Sequence, residues 1–183
     1  LSTFQYCSKL TGNLVIPDSV SSIESHAFSF CSGLNGSLVI PDKVKKIGSD
    51  SFSFCNGFDG SLTISKNLDV ISSCAFQFCS RFRGILIIPD YITSVEDKAF
   101  LNCSGFEELQ IGQNVRIVGE MAFFGCQNLK GHLLIPLFVS VIEKFAFAET
   151  NFSYVVYNGT YRPDCDYSVF SRKIEIFTSY EYE

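Results

Sequence analysis

The 183 residues contain no tryptophan and only two histidines, His26 and His132. So few imidazoles leave little for a zinc site or for acid–base catalysis, which both draw on converging ligands or proton carriers. No run of about 18 apolar residues occurs, so no transmembrane helix is expected in this chain. No long run of Lys or Arg occurs either, and the formal net charge is −5. A surface that neutralises nucleic-acid phosphates needs a basic patch, so nucleic acid is not an expected partner. The chain starts at Leu1 with no charged-then-apolar leader. That start falls inside a repeat, so the sequence reads as an excised fragment whose missing N-terminal coils would leave an end open to oligomerisation.

What is present is concentrated in kind: 46% hydrophobic residues, with 19 Phe and 8 Tyr. Such a bias points to one local pattern used many times. Cys7, Cys31, Cys55, Cys79, Cys103 and Cys126 recur at steps of 24, 24, 24, 24 and 23 residues, and the next step reaches Thr150. A phenylalanine column keeps the same step: Phe4, Phe28, Phe52, Phe76, Phe100, Phe123 and Phe147. So does the pair Leu38 and Ile40, repeated at Leu62 and Ile64, Leu86 and Ile88, and Leu133 and Ile135. Further columns run through Val44, Leu68, Ile92, Val115 and Val139, and through Ile47, Ile71, Val95, Val118 and Ile142. The unit reads A-F-x-x-C-S-x-L-x-G-x-L-x-I-P-x-x-V-x-x-I.

A unit this short cannot enclose a core alone, but stacked units turn each apolar column into a buried spine. Its length falls within the leucine-rich repeat range of roughly 20–29 residues. The L-x-I step has period two and predicts a short inward-facing strand, with successive strands side by side in a parallel sheet. Pro17, Pro41, Pro89 and Pro136 lack an amide donor and end that strand. The A-F-x-x-C segment is expected to form a short helical or 3₁₀ turn. The expected fold is therefore α/β: a right-handed, curved, horseshoe-type leucine-rich repeat solenoid with a parallel β-sheet on its concave side. About seven coils are expected over residues 1–157, with a capping segment over 158–183 that ends in a strand near Ile174 and Ile176. Coil five is one residue short and lacks the glycine before its strand (Phe106, Glu107, Glu108, Leu109), so a local kink is expected there.

The repeat resembles the BspA-like leucine-rich repeats. Ala27-Phe28-Ser29-Phe30-Cys31-Ser32-Gly33-Leu34 followed by Leu38-Val39-Ile40-Pro41 carries the likeness, and Tyr157-Asn158-Gly159-Thr160 with Cys165 and Phe170 is similar to ends found in that family. The resemblance spans essentially the whole chain. It implies a surface protein of a host-associated microbe, cell-surface or extracellular, engaged in adhesion to host cells, matrix proteins or other microbes. Fold alone does not fix such a role.

The chemistry-bearing residues have plain readings. One cysteine per coil is a poor zinc site, because thiolate sites need ligands that converge. Stacked strands bring neighbouring cysteines within reach of a disulfide, yet parallel side chains suit its dihedral poorly. Buried free thiols fit better, with Cys74 and Cys165 lying off the column. Asp18, Asp42 and Asp90 are spaced one per coil, unlike a calcium loop, and read as turn formers. Neither His26 nor His132 has a convincing catalytic partner, so no enzyme, metal or cofactor is expected. Four N-x-S/T sequons start at Asn35, Asn102, Asn151 and Asn158, about twice the number composition alone would give, which lends weak support to secretion.

The outward strand positions are the candidate partner-binding set: Val15, Val39, Thr63, Ile85, Ile87, Glu108, Gln110, His132, Leu134, Tyr154 and Val156. An apolar row facing water often marks an interaction site. β-Propensity alone would also favour such residues in strands. At Ile85 and Ile87 both outward positions are apolar, which tips the balance toward binding. Protein–protein recognition is the leading expectation, and a structural spacer is the alternative.

Overall fold

The computed structural model describes residues 3–165 and 167–178. It is a parallel β-solenoid of about seven turns, and no α-helix occurs among the described residues. The α part of the expected α/β class is therefore corrected. The repeat-by-repeat stacking is as the columns require.

The predicted L-x-I strands form from coil two onward, all in parallel, while coil one has only Gly12–Asn13 paired with Leu34–Asn35. Leu38–Val39 pairs with Leu62–Thr63, and Ile85–Ile87 pairs with Glu108–Gln110. Lys130–Ile135 pairs with Asn151–Tyr157, which pairs in turn with Glu175–Thr178. A second parallel ladder, not anticipated, runs through the V-x-x-I step. There Val70–Ile71, Ser94–Val95, Ile117–Val118 and Val141–Ile142 make one continuous four-stranded sheet. Ser22–Ile23 and Lys46–Ile47 form an earlier pair of the same kind.

The A-F-x-x-C segment is a third ladder, made of turns. Its amides alternate in destination. Phe28 and Phe30 donate to Ser51 O and Ser53 O of the next coil, while Ser29 and Cys31 donate back to His26 O and Phe28 O. A helix would bond every amide within the segment. Here two residues per coil take left-handed backbone angles and turn every second amide toward the neighbouring coil. In coil three these are Asp50 (φ 57°) and Phe54 (φ 59°). Left-handed angles cost an L-residue roughly 1–2 kcal/mol. Gly125 (φ 72°) occupies one such position without that cost.

The phenylalanine column is the spine. Its rings stack from Phe4 to Phe147 at centroid distances such as 5.2 Å for Phe28–Phe52 and 5.5 Å for Phe52–Phe76, and Phe170 continues the stack at 5.7 Å from Phe147. A second buried stack runs Phe58, Phe82 and Phe106, and a half-buried one Phe30, Phe54 and Phe78. The excess of Phe thus follows from stacking: each ring meets its copy one coil away, slightly offset.

The column cysteines of coils two to six also have a polar task. Cys31, Cys55, Cys79, Cys103 and Cys126 direct their thiols at the carbonyls of Phe4, Phe28, Phe52, Phe76 and Phe100 in the preceding coil, at 2.9–3.2 Å. At Thr150 a hydroxyl takes the place of the thiol and donates to Phe147 O at 2.7 Å. The alanine column has Thr3 in coil one and Ser51 in coil three, and the Ser51 Oγ is buried without a hydrogen-bond partner. Ser51→Ala should stabilise the chain by about 1 kcal/mol or more, because an unmet buried hydroxyl is a pure desolvation cost. Denaturant melts of the variant read this directly, and a loss of stability would show that the hydroxyl is bonded.

Candidate functional site

Apart from Val15, which follows the short strand Gly12–Asn13, the outward residues stand on strands whose neighbours alternate into the spine, so their side chains face solvent. Val15, Val39, Ile85, Ile87, Leu134 and Tyr154 are exposed, with Ile87 at 51%. Thr63, Glu108, Gln110 and His132 are also exposed, and Val156 is half-buried. Register sets their neighbours: Val39 beside Thr63, Ile85 beside Glu108, Ile87 beside Gln110, His132 beside Tyr154, and Leu134 beside Val156. The His132 and Tyr154 rings stack at 5.6 Å, and Phe177 meets Tyr154 edge-on.

A groove of about 1100 Å³ crosses the middle of this face. It gathers Thr63, Ile87, Glu108, Gln110, His132 and Leu134. Val15, Val39, Ile85, Tyr154 and Val156 lie outside it. Lys66, Tyr91 and Lys130 line it as well and were not foreseen from the sequence. Tyr91, 68% exposed, follows Pro89-Asp90 where coils one, two, three and five place serine, lysine or asparagine and only coil six another aromatic, Phe138. That departure from the column was the available signal. The groove wall carries charges of both signs, Lys66 and Lys130 against Asp90 and Glu108.

The strand ladder under the face is interrupted twice, between Leu62–Thr63 and Ile85–Ile87 and again beside the short coil five. The strands Glu108–Gln110 and Lys130–Ile135 are not paired as a ladder, and a register shift falls between Gly131 and His132. One of the two gaps lies between coils five and six, next to the coil that is one residue short.

The remaining sequence candidates have structural employment. Asp42 Oδ1 accepts the Lys66 amide at 3.0 Å and Asp90 Oδ1 accepts the Gln113 amide at 2.8 Å, so these carboxylates tie one coil's turn to the next. Burial pushes the Cys55 and Cys126 thiols from 9.0 up to about 12, and those of Cys79 and Cys103 well above 9.0. Thiols held this strongly in the neutral form are poor nucleophiles and poor ligands. No helix among the described residues is long and apolar enough to cross a membrane.

Solved structures share the architecture. A leucine-rich repeat protein from Bacteroides ovatus ATCC 8483 aligns with a TM-score of 0.68 at 20% identity, over 96% of this chain and 47% of that one. A leucine rich cell surface protein from Faecalibacterium prausnitzii A2-165 aligns with a TM-score of 0.58, also at 20% identity, over 98% of this chain and 62% of that one. Identity this low speaks for the fold, and the chain spans less than two thirds of either protein. No protein of curated function matches it. The model of the BspA type leucine rich repeat region matches in six copies, over residues 1–130 and 59–176. With the repeat columns matched over nearly its whole length, the chain belongs to the BspA-type leucine-rich repeat family.

Proposed function

We propose that this chain is a protein-recognition module of a cell-surface or secreted protein, and that it binds partner proteins through the outward face of its L-x-I strands. Adhesion to host cells, matrix proteins or other microbes is the role this reading favours. The observation that carries it is the exposure of Ile87 and Leu134 within one groove spanning several coils. Apolar side chains left in water in a shared depression, with a mixed-charge wall, fit the anatomy of a protein interface: an apolar centre and a polar rim. The face offers no converged acid, base and nucleophile, so the reading involves no catalysis and calls for no cofactor. The name of the Faecalibacterium relative, a leucine rich cell surface protein, supports the location.

A scan of single outward substitutions tests this. Binding to a captured partner protein should collapse with Ile87→Asp or Leu134→Asp, by about 2 kcal/mol or more if these are central anchors. Val15→Asp, outside the groove, should change little. A spacer that merely extends another domain would show no response at any of the three positions.

A further inference from the structure

A second surface is polar throughout. In the segment joining each cysteine to its L-x-I strand, coils four to six leave a trough of about 510 Å³. Arg81 and Arg83 reach it from coil four and Lys130 from coil six, with Glu107 of coil five between them. Three cations thus face one carboxylate, in a chain whose net charge is −5. Arg81 lies 3.5 Å from Asp59. The side chains of Arg83 and Lys130 have no hydrogen-bond or ion-pair partner among the described residues.

The trough exists because of two local features. Gly105 stands in the same column as Arg81 and Asn128, and a Cβ there would lie 2.1 Å from Phe82 O. The backbones therefore approach too closely for a side chain, and the floor is bare. Coil five is also the short one, and the ladder is broken between it and Lys130–Ile135. On the other side of that strand, a register shift at Gly131 and His132 in its pairing with Asn151–Tyr157 lies directly beside Lys130. Bulges of this kind often re-aim side chains next to binding sites.

We propose that this trough binds a segment of anionic polysaccharide, one whose sugars carry carboxylate or sulfate groups. The guanidinium forks of Arg81 and Arg83 suit either oxyanion, and Lys130 adds a point charge. Ser80, Ser104, Gln127 and Asn128 supply the neutral donors and acceptors that sugar hydroxyls use. No apolar side chain lines the trough to hold a peptide side chain. The amides of Arg83, Glu107 and Lys130 already bond Gly60 O, Gly84 O and Glu107 O, so they are not free to pair with the backbone of an acidic peptide. Lys130 borders both this trough and the strand-face groove, whereas Arg81 and Arg83 line the trough alone, so glycan binding is separable from protein recognition by the strand face.

The test is titration calorimetry of the whole chain with a heparin-derived oligosaccharide, an oligogalacturonate, neutral dextran and oligoglutamate. The sulfated or the uronate oligomer should bind, and which one binds identifies the anion. Added salt should weaken the binding. Arg83→Glu with Lys130→Glu should weaken it at least about tenfold. Arg83→Lys, which keeps the charge, should lose much less. Ile87→Asp with Leu134→Asp should leave it unchanged, which separates this site from the strand face. No binding of either charged glycan, equal binding of dextran, tighter binding of oligoglutamate, or indifference to the charge reversals would overturn the proposal.

Discussion

Phe76→Ala should destabilise the chain by roughly 3–5 kcal/mol, the range for removing a fully buried phenyl from a packed core. Phe76 is wholly buried and stacks on both sides, 5.5 Å from Phe52 and 5.4 Å from Phe100. Its removal opens a cavity in the middle of the spine and strips two neighbours of their partner at once. Because each coil is held mainly by its neighbours, the damage should weaken the coupling between the two halves of the array. Denaturant unfolding of wild type and variant measures the loss, and the variant transition should also broaden. A loss below about 1 kcal/mol would contradict the placement of this column.

Raising the pH should destabilise the chain steeply above 9, because of the thiol column. The folded chain holds the protons of Cys55 and Cys126 up to about 12, against 9.0 for a free thiol. Cys79 and Cys103 are shifted in the same direction, by burial first. Over this range the folded state binds more protons than the unfolded chain, so stability falls as pH rises. The contribution is intact below about pH 9 and drains away toward pH 12. Each fully shifted thiol adds a slope of about 1.4 kcal/mol per pH unit. Loss of the proton also removes the S–H donor from the carbonyl of the preceding coil, such as Phe52 O for Cys79. Melts under reducing conditions at pH 8, 9 and 10 give the slope. Cys79→Ala should lower stability at pH 8 yet flatten the alkaline slope by about one thiol's share. An unchanged slope would show that this thiol is not held neutral in the folded chain.

Much of this fold was legible in the sequence because a repeat prints its core many times. The Phe, Leu and Ile columns named their own partners, one coil away. The strand at Leu38-x-Ile40 could be read from period-two alternation. The strands at Val70–Ile71 and Ser94–Val95 could not, since V-x-x-I has no such alternation and each strand is only two residues long. The turn ladder was misread as helical for a physical reason. Its left-handed positions carry Phe30, Phe54 and Phe78 instead of glycine, so nothing local announced the break. The outward residues on the strands were placed by alternation alone, whereas the groove's Lys66 and Tyr91 sit after the strand, where alternation gives no direction. The basic trough was hidden for another reason. Arg81, Arg83 and Lys130 lie in coils four and six and form no charge run along the chain.

Two ladders, a turn stack and a phenyl spine make a rigid frame, and the frame holds the outward residues in fixed register. The central claim is that this face recognises proteins. Binding of the chain to immobilised matrix proteins and to host cells, beside a folded Ile87→Asp/Leu134→Asp double variant, tests it most directly. The account predicts saturable binding by the wild type that is lost in the variant. Equal binding by both, or binding by neither, would contradict recognition through this face.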